Sequence, residues 1–388
     1  MEVPELRFPD FKDIKGWDII PLSFAVKSES SALAQNNLQL VEKGFPVYGA
    51  SGLIGFIPYF IQDEDYIAII KDGSGVGKLF LYEKQSSVLG TLTYLKSQDN
   101  ASYYLGYLFY LLQTISLSSF IKGSGIPHIY YSDYSKEPVA VPTFIEQQKI
   151  ASCLSSLDDL ITAHTQKLDA LKAHKKGLMQ QLFPAEGEKV PKLRFEGFRD
   201  SGEWEEKTLK EVADYENGKA HEQDIVEEGI FVVVNSKFIS TGGEIRKFTN
   251  TANCLAKKGD ILMVLSDVPN GRAIAKCFYV ESDDYYTVNQ RICRITPFDS
   301  NGLLLFYLLD RNEYFLSFDD GVKQTNLRKD EVLACPLLLP KDPKEQQKIA
   351  DCLSAIDELI IQQADKILQL EKHKKGLMQG LFPSALSS

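Results

Sequence analysis

A stretch of 39 residues occurs twice in this chain, and it limits the possible architecture more than any other feature. EQQKIASCLSSLDDLITAHTQKLDALKAHKKGLMQQLFP (146–184) returns as EQQKIADCLSAIDELIIQQADKILQLEKHKKGLMQGLFP (345–383), identical at 24 of 39 positions without a gap and offset by 199 residues. A shorter match sets VPELRF (3–8) against VPKLRF (190–195) and Trp17 against Trp204, now offset by 187. The order is therefore module, helix, module, helix. From Trp17 to Phe144 and from Trp204 to Lys344 the two halves do not align by eye. Segments that do one job twice stay alike, whereas modules that do a related job on different targets diverge.

In the first copy, apolar residues step by four and three through Ile150, Leu154, Leu157, Ile161, Leu168, Leu171, Leu178 and Leu182, interrupted at His164 and Lys175. The second copy gives Ile349, Leu353, Ile356, Ile360, Ile367, Leu370, Leu377 and Leu381, interrupted at Gln363 and Lys374. These a/d heptads predict coiled-coil helices about 58 Å long at ~1.5 Å per residue. Thr143 with Glu146, and Asp342-Pro343 with Glu345, have the spacing of capping boxes, and both copies end at Phe-Pro. Neither helix can bury its stripe alone. Antiparallel pairing, with Ile150 beside Leu381 and Leu182 beside Ile349, keeps the modules apart and gives one chain an approximate two-fold axis. Two independent helices, each docked on a separate partner, are the alternative.

Inside the modules the runs DYIAII (65–70), KLFLY (78–82), IFVVV (230–234), DILMVL (260–265) and RICRIT (291–296) read as strands. GYLFYLLQTI (106–115) and LLLFYLLDRNEYFLS (303–317) read as helices. The expected fold class is α+β, with mixed α/β modules over 1–142 and 185–341. Helix 143–184, and helix 342–388 with its tail, join them.

Composition narrows the function. No apolar run approaches the ~20 residues of a membrane helix, and MEVPELRFPDF lacks the basic and apolar regions of a secretion signal, so the cytoplasm is the expected location. Six cysteines without a C-x-x-C pair encode neither a zinc site nor a disulfide framework, and the five histidines have no metal spacing. A net charge of −10 opposes nucleic-acid binding. Residues 1–145 carry 11 basic and 15 acidic side chains, and residues 185–344 carry 22 and 28. A DNA-binding role therefore requires a locally basic face or basic partner subunits.

KDGSGVGK (71–78) is the one stretch that looks like a phosphate cradle, but Asp72 stands where a Walker loop has its first glycine and Leu79 where it has its hydroxyl. It reads better as a glycine-rich turn whose Lys71, Ser74 and Lys78 meet a DNA backbone or base edge. VYGASGLIGF (47–56) lacks the context of a dinucleotide fingerprint, while its Tyr48 and Ser51 are further candidates. Lys122 and Ser124 are counted with them. In the second module, LSDVPNGRAIAK (265–276) offers Ser266, Asp267, Asn270 and Arg272, and GVKQTNLRK (321–329) offers Lys323, Gln324, Thr325, Asn326 and Arg328. Asn and Gln pair bidentately with adenine and Arg with guanine, which suits such loops to major-groove reading. VNQR (288–291) is a weaker stretch of the same kind. No G-x-S-x-G, H-E-x-x-H or Pro-Pro sequence is present, and no catalytic residue or bound cofactor is expected in this chain.

The doubled E-Q-Q-K-I-A-x-C-L-S…K-K-G-L-M-Q-x-L-F-P helix, each copy following a variable module, together with PVYGASGLIGF and KDGSGVGK, resembles the specificity subunit of type I restriction-modification enzymes. The resemblance spans the chain. It implies that each variable domain recognises one half of a split, asymmetric DNA sequence while the paired helices set the spacing. It also implies two docked methyltransferase subunits that use S-adenosylmethionine, which an ATP- and Mg-dependent endonuclease and translocase subunit can join. Three other readings compete: the recognition subunit of a combined cleavage and methylation system, a scaffold whose modules bind proteins, and a nucleotide-using enzyme built around Lys78.

Overall fold

The computed structural model describes residues 3–123, 125–268, 272–283 and 285–383. The repeated segments form two helices, Phe144–Leu182 and Pro343–Leu381. The chain divides into two compact units, residues 1–167 with 363–388, and residues 168–362. Each unit holds one module, the near half of that module's own long helix and the far half of the other.

In the first unit, Val26–Ser30, Leu92–Ser97, Tyr66–Ile70 and Leu79–Tyr82 form an antiparallel sheet in that order. Every residue of the two central strands is buried, which explains why YIAII reads as an uninterrupted apolar run. A smaller sheet sets Phe45–Gly49 antiparallel to Gly52–Ile57 and parallel to Ser87–Val88. The helix Leu105–Thr114 covers the larger sheet, and Asp18–Pro21 pairs with Pro138–Val141.

The second unit repeats this plan with unrelated residues. Ala213–Asn217, Ile292–Pro297, Ile261–Val264 and Cys277–Tyr279 lie in the same antiparallel order. Phe231–Val234 again has one antiparallel neighbour, Phe248–Thr249, and one parallel neighbour, Tyr286–Val288. Glu205–Thr208 pairs with Pro336–Leu339. The 303–317 run is two helices, Gly302–Leu309 and Glu313–Leu316, where one was expected. It breaks because Arg311 takes a left-handed conformation (φ 56°), the Asp310 carboxylate accepts the Cys277 amide, and Asn312 caps the next turn through the Tyr314 amide.

Within each unit the long helices run antiparallel. In the first, Ile150, Ala151 and Leu154 share a core with Leu377, Leu381, Phe382, Tyr107 and Leu108. In the second, Leu178 and Leu182 share one with Ile349, Leu353, Leu304 and Leu305. Ile356 and Leu370 are also buried. Leu157, Ile161, Leu168, Leu171, Ile360 and Ile367 are only half-buried, because two helices alone cannot enclose a stripe where no module covers it.

The capping boxes are a correction. Asp342 does cap, its Oδ1 accepting the Lys344 amide at 2.8 Å, but Glu146 and Glu345 turn away from their helix ends. Arg7 donates to both oxygens of Glu146 at 2.8 Å, and Arg194 donates to those of Glu345 at 2.6 and 2.8 Å. All four side chains are at most 7% exposed, so the charges meet in a buried bidentate pair. The short N-terminal match thereby gains its purpose. Leu6 donates its amide to the Gly380 carbonyl, and its equivalent Leu193 donates to Gln181, so each arm ties the start of one long helix to the end of the other.

Candidate nucleic-acid interface

Topologically equivalent hairpins, together with the loops that pair with them, carry most of the candidate residues. In the first module the hairpin between Tyr66–Ile70 and Leu79–Tyr82 is KDGSGVGK, whose Gly73, Gly75 and Gly77 all have φ between 84° and 87°. A side chain is disfavoured at such angles, so the glycines are demanded by the turn itself. The loop returns directly into a strand, whereas a phosphate cradle opens onto a helix N-terminus. A second loop clips onto the first: the Gly73 amide donates to Pro127 and the Ile129 amide to Lys71.

Exposed Ser51, Ser74 and Lys78 line one cavity of about 750 Å³ together with Gln35 and Thr91. Gln35 and Thr91 escaped the sequence reading, although the Gln35-Asn36-Asn37 run carried the adenine-pairing chemistry that could have flagged it. Lys71 is half-buried at the base of the hairpin. Tyr48 lies outside the cavity lining because its ring stacks on Tyr82, with centroids 3.9 Å apart and planes 9° from parallel. Lys122 is exposed and pairs with Asp133 at 2.9 Å. Ser124 lies outside the described residues.

In the second module the equivalent hairpin is 265–276, and its partner loop pairs with it as a short ladder, Ser266 with Asn326 and Asp267 with Thr325. Asp267, Thr325 and Ser266 were expected at the surface but serve the loop's own architecture. The Asp267 carboxylate accepts the amides of Val268, Ala273 and Ile274, Thr325 is buried and donates to Asp319, and Ser266 is buried and accepts from Gln324. The amides of Lys323 and Val322 hold the Asp320 carboxyl below the usual aspartate range. Arg272, Lys323, Gln324, Asn326 and Arg328 remain exposed, placing three cations on one loop pair of an otherwise acidic module. Asn270 lies outside the described residues. In the 288–291 stretch a Cβ on Gly218 would meet the Asn289 carbonyl oxygen at 2.1 Å, so the two backbones pack closely there, while Gln290 and Arg291 are exposed.

No cluster of histidine, cysteine or acidic side chains among the described residues has the geometry of a metal site, and no described helix is long and apolar enough to cross a membrane. Burial pushes Cys293 and Cys335 up to about 12, far from the range of a reactive thiol.

Two scaffolds of matching topology thus each present a different polar loop pair. The family model for the type I restriction modification DNA specificity domain matches residues 18–173 and 201–372. The chain belongs to this family, as a specificity subunit of a type I restriction-modification system. It is 30% identical to the MjaVIII type I restriction enzyme specificity subunit of Methanocaldococcus jannaschii, covering 83% of this chain and 79% of that one. The fold is similar to the crystal structure of a type I system S subunit from M. genitalium, with a TM-score of 0.70 at 17% identity over 98% of this chain and 99% of that one. A chain from a study of complex assembly and conformational transition in the type I system matches with a TM-score of 0.52 at 14% identity, covering 96% and 98%.

Proposed function

We propose that each module reads one half of a split, asymmetric duplex sequence, while the paired helices set the number of base pairs between the halves and seat two copies of a methyltransferase subunit. The observation that carries this reading is the doubled framework: one sheet topology built twice, with chemically different exposed side chains at the equivalent hairpins. Ser51, Ser74 and Lys78 serve the first half-site, and Arg272, Asn326 and Arg328 serve the second. The chain supplies the address. S-adenosylmethionine, and ATP with Mg where a restriction subunit joins, belong to the partners, and the assembly works in the cytoplasm. The net charge of −10 fits an assembly in which partner subunits share the phosphate contacts.

Methylation mapping of cells with and without this gene tests the reading. Adenine methylation at a bipartite motif of fixed spacing is expected, and it disappears with the gene; persistence of every such motif after deletion excludes the reading. Acidity favours the protein scaffold as a second reading. Filter binding with methyltransferase present separates the two: duplex affinity that falls steeply with salt supports DNA contact, and its absence supports the scaffold.

A further inference from the structure

The positions that interrupt the heptads all acquire partners. Lys374 donates to Asp158 at 2.6 Å, and the same carboxylate accepts the Tyr110 hydroxyl at 2.8 Å. Lys175 donates to Asp357 at 2.6 Å, and that carboxylate accepts the Tyr307 hydroxyl at 2.8 Å. Each lysine also lies over its tyrosine ring, 5.3 Å from the Tyr110 centroid and 4.9 Å from that of Tyr307. Every triad therefore joins three elements: a module helix through its tyrosine, that module's own long helix through its aspartate, and the other long helix through its lysine. Burial, followed by the neighbouring carboxylate, raises both phenol pKa values, so the tyrosines remain protonated donors.

The third interruption is a pair. Gln363 donates through Nε2 to the His164 carbonyl at 2.8 Å and lies 2.6 Å from His164 Nδ1. These residues occupy the same repeat position, 199 residues apart, so the repeat meets its own equivalent there with unlike side chains. Apolar a/d residues at half-exposed positions tolerate a slip of one turn, since one leucine replaces another. A charged or hydrogen-bonded pair does not, because a slip strands a partly desolvated lysine or carboxylate.

We infer that Asp158–Lys374–Tyr110 and Asp357–Lys175–Tyr307 are register locks, positioning residues that select one alignment of the two long helices and so one spacer length in the recognised DNA. Within each helix the two locking residues stand 17 positions apart, and the His164–Gln363 pair falls between them. The inference rests on the bipartite reading proposed above. It goes further by assigning spacer fidelity to six named side chains rather than to helix length alone.

The test is methylation mapping in cells carrying the complete system with the full-length chain. The isosteric double variant Asp158→Asn with Asp357→Asn keeps an acceptor for each tyrosine but removes the charge pairing. It should leave both half-site sequences unchanged and raise methylation at spacers one base pair longer or shorter by about tenfold, between the sizes expected for exposed and for buried ion pairs. The fourfold swap Asp158→Lys, Lys374→Asp, Asp357→Lys and Lys175→Asp should restore the single spacer. Should the Asn variant lose methylation altogether, recovery in the swap still supports the locks, and loss in both overturns them. A single wild-type spacer in the Asn variant overturns them as well. Failure of the wild-type chain to give any bipartite motif instead refutes the underlying reading.

Discussion

The first and second modules have the same strand order in the larger sheet, the same parallel and antiparallel neighbours of the central strand in the smaller one, and the same tie to the long helices, yet they hold their equivalent hairpins in shape by different means. The first uses backbone freedom, with three glycines in left-handed conformations. The second uses a side chain, with Asp267 gathering three amides, and adds a two-residue ladder. The framework therefore specifies where a loop sits and leaves its chemistry open.

The largest effect is expected where the modules agree. Arg7→Ala and Arg194→Ala each strand a buried glutamate, and each should cost about 3–5 kcal/mol. Hydrogen exchange should place the loss in the first unit for Arg7 and in the second for Arg194; a loss confined to the exposed arm would show that the clamp is not structural. Next come the contrasting loops. Gly77→Ala should cost about 1–2 kcal/mol through its φ of 86°. Asp267→Ala should cost about 1–3 kcal/mol by leaving the Ala273 and Ile274 amides unpaired. Chemical denaturation measures both, and a neutral Asp267→Ala would erase the distinction drawn between the hairpins.

A smaller asymmetry lies beside the clamps. Trp17 Nε1 donates to Glu146 at 3.3 Å, whereas Trp204 Nε1 is buried without a hydrogen-bond partner. Trp17→Phe should therefore cost about 1 kcal/mol more than Trp204→Phe in parallel melts. The smallest effect is one of pH. Because the folded Asp320 carboxyl titrates below its ordinary 3.8, its stabilisation of the 320–323 turn is complete above that value and fades as pH falls through the depressed value. Amide exchange at Val322 and Lys323 should accelerate over that range, and Asp320→Asn should abolish the dependence.

The long helices, their antiparallel sense, the α+β class and the five named strands were legible in the sequence because each rests on periodicity or an apolar run. The matching topology of the modules was not, since a fold conserves the burial pattern of a strand rather than its residues: YIAII and ILMV do the same work with little in common. The polar interruptions at Lys175, Lys374, His164 and Gln363 read as blemishes for a related reason, since their partners lie on the other helix. Glu146 and Glu345 were placed by a local rule, the capping box, that a distant arginine overrode. Among the loop candidates, residue type alone could not separate Asp267, which bonds its own backbone, from Arg272, which faces solvent.

The central claim, that two modules address two halves of one site independently, is tested most directly by comparing methylation maps of two loop variants in the complete system. Ser74→Ala with Lys78→Ala should alter or relax the first half-site only. Arg272→Ala with Asn326→Ala should alter or relax the second only, at about 1–3 kcal/mol of lost discrimination per base contact, with the spacer unchanged in both. A change in both half-sites from either variant, or in neither half-site from both, would contradict the account.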